Sequence, residues 1–409
     1  MKADLADQLR RLGLGKGPTA IRPAEGRRSA QRVESLIPGE ILHAEGRACF
    51  VAEHHCPLDQ EHGTRPLGAL LELSPQVPAV MAGEPSLGEL SFREMLFLDT
   101  ETTGLSRGTG TLAFLVGIGF FEGHQFSVRQ YFLRDPEDEP AMLADLADQL
   151  SHRPGVVTFN GRGFDLPLLD GRFLLNRMRS PFLASPHLDL LQPARRLWRT
   201  VLDSCRLVAL EEQIMGVQRD QADVPSGLIP LIYQDYLRTG NGIEMPRIFY
   251  HNRMDVLSLV GLMTHLGRVF QDPSAELRDG AEWFSLARWY EVLELRGRAE
   301  AAYRCAIQSD LAQDRLEAAL RQLGLLLKRA GRRDDAAEVW QHLAAVEMDD
   351  VWGHVELAKY HEWHTGELEQ AADWTRRALS LTGRWSRGMQ QLTRPGLEHR
   401  LARLERKLA

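Results

Sequence analysis

Two acids two residues apart, Asp99 and Glu101 in "LFLDTETTGL", follow directly on an apolar run. In a strand, side chains at i and i+2 leave from one face, so both carboxylates project on the same side of the strand's end. Like charges held that close disfavour each other's ionised form unless a cation lies between them. A divalent metal meets that need, and magnesium takes few protein carboxylates while keeping positions for water and phosphate. Further residues extend the set. "NGRGFD" places Asn160 at the end of another apolar run and Asp165 at the start of a helical pattern. "YHNRMDVLSLVGLM" puts His251 and Asp255 four residues apart, neighbours on one helix face.

Elements that must position these groups are legible around them. "MLFLD" reads as a short buried strand, and "LAFLVGIGFF" and "QFSVRQYFL" as longer ones, separated by turns with Gly104, Gly108, Gly110 and Gly123. "EDEPAMLADLADQLSH" carries helical spacing with acids in its first turn, "GVVTFN" is another buried strand, and the chain turns helical after Asp165. Three strands on short turns, then a helix and a parallel strand, is the order of a ribonuclease H-like mixed sheet flanked by helices. Earlier, "GEILHAEGRACFVAEHHCP" suggests a strand pair. After residue 280 the pattern is wholly helical. Leu323, Gly324, Leu327, Gly331, Ala336 and Trp340 fit a tetratricopeptide-like helix-turn-helix unit; Leu357, Ala358, His361, Gly366 and Ala371 repeat it, and Leu286, Ala287, Tyr290 and Gly297 precede it. The expected division is a flexible arm over 1–38, a β-rich extension over 39–90, the α/β domain over 91–272, helical repeats over 280–385 and a terminal helix over 386–409.

Composition bounds the function. At 409 residues the chain exceeds one ordinary core. Hydrophobic content of 44% and charged content of 26% are those of a globular protein. No apolar run is long enough for a membrane span and "MKADLADQLRRLGLG" lacks a signal peptide's apolar stretch, so a cytoplasmic protein with no membrane partner is expected. Four scattered cysteines form no disulfide framework. The net charge of −7 argues against a protein that coats nucleic acid non-specifically, without excluding a local groove. Arginines cluster at Arg195, Arg196 and Arg199 and at Arg10, Arg11, Arg22, Arg27, Arg28 and Arg32, for which a solvated face is the ordinary reading. A zinc site from His54, His55, Cys56 and His62 is disfavoured by spacing. The glycines of "SRGTGT" are followed by no P-loop lysine and read as a turn. Cys205 has no nucleophile's partners and reads as packing.

Taken together, Asp99 and Glu101 in "DTETTG", Asp165 in "NGRGFD" and Asp255 in "HNRMD" resemble the three motifs of the DEDD superfamily of 3′→5′ exonucleases. More narrowly, "FLDTETTGL", "AFLVGIGFF", "VTFNGRGFDLPLL", "HLDLLQPARRLW", "DVPSGLIPLIY" and "HNRMDVLSLVGL" resemble the YprB-type ribonuclease H-like family of bacteria, over about Gly39 to Leu266. The resemblance implies two-metal phosphodiester hydrolysis with Mg2+ or Mn2+ held by Asp99, Glu101, Asp165 and Asp255. It implies a nucleic-acid substrate, DNA or RNA, contacted by Asn160, by Thr102 or Thr103 and near Gly104, and a protein partner recruited by the repeats. One departure stands out. The superfamily has tyrosine four residues or histidine five residues before its last aspartate, whereas here His251 is at minus four and Tyr250 at minus five. Histidine's ordinary pKa suits a base near neutral pH better than tyrosine's, which favours His251 and leaves Tyr250 to pack or touch substrate. Phe164 could pack or stack a base, and Asp189 in "HLDLL", after His187, could support the site or cap a loop. A scaffold or adaptor that has lost the reaction, and an endonuclease on structured nucleic acid, remain as alternatives.

Overall fold

The computed structural model describes residues 31–104, 110–220, 222–346, 351–383 and 385–409. Most of the expected arm, with Arg10, Arg11, Arg22, Arg27 and Arg28, lies outside the described residues, as do Gly108 and most of the "SRGTGT" turn.

One seven-stranded sheet organises the α/β domain. Its strands are β1 (Glu40–Ala44), β2 (Arg47–Pro57), β3 (Met95–Thr102), β4 (Ala113–Glu122), β5 (Gln125–Phe132), β6 (Gly155–Thr158) and β7 (His187–Asp189). They lie in the order β1-β2-β5-β4-β3-β6-β7, antiparallel from β1 to β3 and parallel from β3 to β7. This is the mixed, ribonuclease H-like arrangement expected. The strand pair of the 39–90 segment adds to the edge of this same sheet, Phe50 opposite Phe132.

Helices cover both faces: α1 (Glu139–His152), α2 (Asp165–Leu175), α3 (Leu191–Trp198), α4 (Ile229–Thr239) and α5 (Met245–Gln271). β3 alternates as a doubly buried strand must. Met95 and Phe97 join one core with Val256 and Val260 of α5, while Leu96 and Leu98 join the other with Met142, Phe173 and Tyr233. Two glycines let α5 approach β4. A Cβ at Gly117 would lie 2.2 Å from the Asn252 side chain, and one at Gly119 would lie 2.6 Å from Val256 and 2.4 Å from the Phe126 ring. α2 is fixed to α1 by Arg172, which donates to both oxygens of buried Glu139 at 2.5 and 2.6 Å.

Beyond α5 the chain is all helical. α6 (Gly280–Val292) pairs with Arg296–Gln308, Gln313–Arg329 with Arg333–Val346, and Trp352–Tyr360 with Leu368–Thr382, before a last helix over Arg387–Leu408. Gly331 and Gly366 sit in turns at φ +79° and +77°, a region that favours glycine, and Gly324 leaves room for Trp340, whose Nε1 would be 2.3 Å from a Cβ there. The two regions share their interior: one apolar cluster runs from Phe97 through Trp198 and Phe270 to Trp289, Trp340 and Leu357. Phe270 meets Trp289 edge-on at 4.4 Å, and Trp198 Nε1 donates to Glu282 at 3.0 Å. Among the described residues no helix is long and apolar enough to cross a membrane.

Of the histidines considered for zinc, His62 is buried with Nε2 2.8 Å from Ser258 Oγ, and His55 Nδ1 is 3.0 Å from Ser127 Oγ. On α5, buried His265 has no hydrogen-bond partner for Nε2, and burial, with help from Arg65 and Arg268, lowers its pKa to about 4. The unfolded chain therefore binds a proton in this range that the folded one refuses, so its contribution is present above the unfolded pKa and is lost as pH falls from about 6.5 toward about 4. Urea titrations at about pH 7 and about pH 5 should show His265→Leu losing about 1–2 kcal/mol less than wild type on acidification. Equal losses would contradict the assignment.

Candidate active site

The strand end, the long helix and one loop build the site. Asp99 and Glu101 leave β3 on the face toward α5, with a bulge between Glu101 and Thr102 ending regular pairing with β4. Asp99 stands opposite Gly117 in the register, and the space there admits Asn252 of α5. Asn252 is fully buried; its Nδ2 donates to Asp99 Oδ2 at 2.9 Å and its Oδ1 accepts from Gln130 Nε2 at 2.8 Å. This relay from Gln130 through Asn252 holds one oxygen of the Asp99 carboxylate toward α5.

On either side of Asn252 along α5 stand His251 and Asp255. Ligand atoms of Glu101, His251 and Asp255 all lie within 4.8 Å of one another, a set that could hold a metal ion. His251 Nε2 is 3.7 Å from Glu101 Oε1, 3.5 Å from Asp255 Oδ2 and 3.3 Å from Ser226 Oγ. Its Nδ1 lies 2.7 Å from Asp223 Oδ1; an ionised carboxylate only accepts, so Nδ1 carries the proton and Nε2 faces the acids. Beneath them lies Arg219, almost buried, donating to Glu211 at 2.5 and 2.7 Å and to Asp255 Oδ1. Glu211 in turn accepts from Ser258 Oγ at 2.5 Å, which links the network to His62.

Asp165 enters differently. Thr100, which alternation turns to the opposite face from Asp99 and Glu101, donates to Asp165 Oδ1 at 2.5 Å. Like Asp99, Asp165 is not among the three residues grouped within 4.8 Å, and its charge acts on Asp99, Glu101 and Asp255. The loop ahead of it is pinned by buried Asp189, which accepts from the backbone N–H groups of Asn160, Arg162 and Leu191 at 2.8, 3.1 and 3.0 Å. Asn160, exposed, takes φ +67°, a value asparagine tolerates better than most residues, and lines the cleft beside Asp99. Thr102 Oγ1 donates to the Gly104 carbonyl at 3.0 Å, and Thr103 Oγ1 accepts from Leu112 N–H at 3.0 Å, so both hydroxyls close the loop's base. Phe164 is half-buried at the head of α2. Tyr250 faces another groove, with Phe249 and Arg253, and its hydroxyl accepts from Asp220 N–H at 3.2 Å.

Burial and crowding hold these acids toward their protonated forms. Burial, then the charges of Asp255, Glu101 and Asp165, pushes Asp99 well up. Burial raises Glu101 to about 8 against the pull of His251, and Asp165 to about 6 against the Thr100 hydrogen bond. Asp255 is raised by burial, opposed by His251 and Arg219. His251 is itself raised: burial opposes its charge, but Asp223, Asp255 and Glu101 outweigh it. A set of carboxylates that resists ionising together, next to one imidazole, is the donor chemistry that hard divalent cations complete. The cleft over it measures about 880 Å³ and has Asp99, Asn160, Arg195, Arg206, His251 and Asp255 in its walls.

A family profile described as the RNase H superfamily matches residues 96–267, from the first strand of the site through most of α5. Over those residues the chain is similar to the RNase H superfamily, as the mixed sheet order is. The chain also resembles, at 28% identity over 367 residues, a protein of Bacillus subtilis (strain 168) described as uncharacterized protein YprB; the match covers 89% of this chain and 87% of that one. Within an RNase H superfamily domain, acids at the end of the first strand and on the last helix suit divalent metals and a nuclease-type reaction.

Several residues of the site escaped the sequence reading. Asp223 lies in the "DVPSG" segment, yet nothing local tied it to His251. Asn252 is adjacent to His251 in sequence, and only its burial against a side-chain-free strand position reveals its role. Arg219 carried no motif. Replacing Arg219 by Met strands Glu211 as a buried charge without its cation and leaves Asp255 with His251 alone, and should cost about 3–5 kcal/mol in urea unfolding. A loss below about 1 kcal/mol would mean that the pair contributes little.

Proposed function

We propose that the chain is a metal-dependent nuclease of the DEDD type that shortens single-stranded DNA or RNA from the 3′ end. The observation that carries this reading is the convergence of Glu101, His251 and Asp255 within 4.8 Å, next to an Asp99 that Asn252 holds, on the floor of an open cleft. Asp99, Glu101, Asp165 and Asp255 are the proposed ligands of two divalent cations, Mg2+ or Mn2+, with Asp165 acting mainly through water on the ion. When bound, such ions supply charge neutralisation and polarisation of the phosphate. The protein's own part is proton handling and positioning. Asp223 holds His251 so that Nε2 faces the cleft and can accept a proton from the attacking water. Asn252 prevents Asp99 from turning away. Asp189 sets the loop that presents Asn160 to the terminal nucleotide. The geometry favours His251 over Tyr250 as the third-motif residue, because Tyr250 lines a different groove.

One observation supports a second reading. Arg219 already neutralises Asp255, so a scaffold that kept the fold without the reaction could persist without metal. In that reading the helix pairs, assigned here as tetratricopeptide-like, are the working surface for a protein partner. Calorimetric titration with manganese separates the two: binding that disappears in Asp99→Ala supports the nuclease, and no binding to wild type supports the scaffold.

Activity is the decisive test. Wild type should shorten an oligonucleotide with a free 3′ end in magnesium or manganese, and the Asp99→Ala, Glu101→Ala double variant should not; equal inertness on ssDNA, dsDNA and RNA would refute the proposal. His251→Ala should lower kcat about 10²–10⁴-fold with little change in KM, as loss of a general base does.

A further inference from the structure

We infer that the first helix pair of the C-terminal region is part of the substrate-binding surface: a basic groove between α3 and α6 carries the phosphodiester backbone of a nucleic-acid strand out of the carboxylate cleft. This rests on the nuclease reading for the direction of the strand, not for the groove itself.

Arg195 lines both the 880 Å³ cleft and a second groove of about 620 Å³, so the two adjoin at its side chain. The second groove has Arg196, Arg199 and Thr200 on the α3 side and Arg288, Trp289 and Val292 on α6, and among the described residues no acid lines it. Arg206 extends the same charge into the first cleft, where Asp203 and Glu212 are the acids besides Asp99 and Asp255. Arg195, Arg196, Arg199, Arg206 and Arg288 are all exposed, and among the described residues none of them forms an ion pair with a carboxylate. On a chain of net charge −7, where acids are available, such a run of unpaired guanidinium groups is not a neutralised solvated face.

The groove is also built rigidly. Leu197 and Trp198 turn into the common core while Arg195, Arg196 and Arg199 turn out, and the Trp198–Glu282 hydrogen bond locks α3 to α6. Arg196 lies over the Trp289 ring at 5.8 Å, which holds its guanidinium at the groove wall. Guanidinium groups lining one groove can neutralise the successive charges of a phosphate backbone and supply affinity without base readout.

The test measures binding apart from cleavage. With metal chelated, fluorescence anisotropy of 5′-labelled ssDNA and ssRNA should show an oligomer of about 20 nucleotides binding at least about tenfold tighter than one of about 5, which fills only the carboxylate cleft. The triple variant Arg196→Ala, Arg199→Ala, Arg288→Ala should lose that advantage and reduce the salt slope of binding by about 2, roughly 0.7 for each phosphate that is no longer neutralised. Its unchanged melting temperature would show that it folds. A triple variant that binds the long strand as wild type does overturns the inference, whether or not wild type cleaves. Length-dependent binding that the triple variant loses, in a protein that cleaves nothing, supports the groove and refutes the nuclease. Equal preference for ssDNA and ssRNA is the expected outcome of backbone contact, and strong discrimination between them would place recognition elsewhere.

Discussion

Helix α5 can lie on β4 only because two strand positions carry no side chain. Gly117 and Gly119 open a seat in which Asn252 and Val256 take the space that two Cβ atoms would fill. Everything chemical follows from that seat. The helix brings His251 and Asp255 over the end of β3, and Asn252 spans from Gln130 on β5 to Asp99 on β3. A helix standing further off would leave Asp99 without its partner and disperse the three ligand atoms now grouped within 4.8 Å.

The second constraint is charge. Asp99, Glu101, Asp165, Asp255, Asp223 and Glu211 gather around two cationic side chains, Arg219 and His251. Arg219 directs most of its donors to Glu211 and Asp255, so the acids nearest the cleft keep a deficit that protons or metal ions must meet. This explains why Glu101 is pushed to about 8 while Asp223, bonded to His251 and close to Arg219, is drawn below the usual carboxylate range despite its own burial. The site thus grades from a neutralised floor to an unneutralised mouth.

How much of this was visible in the sequence depends on range. The i, i+2 acids and the i, i+4 His251–Asp255 pair are local relations, fixed by strand and helix periods, and the sheet order followed from the spacing of apolar runs. The seat was not readable: Gly117 and Asn252 are 135 positions apart, and "LVGIGFF" looks like any glycine-containing strand. Arg219 and Asp223 come from a segment without strong periodicity, which only tertiary packing brings under His251. The Thr100 hydroxyl that donates to Asp165 was not readable, because that contact joins a strand end to a helix 65 positions away. That the clustered arginines of α3 line a groove was not readable, because the helix on its other side lies far along the chain, beyond α5.

The unbroken apolar cluster has a consequence for modularity. Trp198, Phe270, Trp289 and Tyr290 belong to one interior, so a truncation after Gln271 would lay bare the face on which α6 rests. The first C-terminal helix pair is therefore not an interchangeable attachment, and any exchange of the C-terminal helices would need its junction beyond that hairpin. The first two helices of that region are thus part of the α/β domain's interior rather than an addition to its surface.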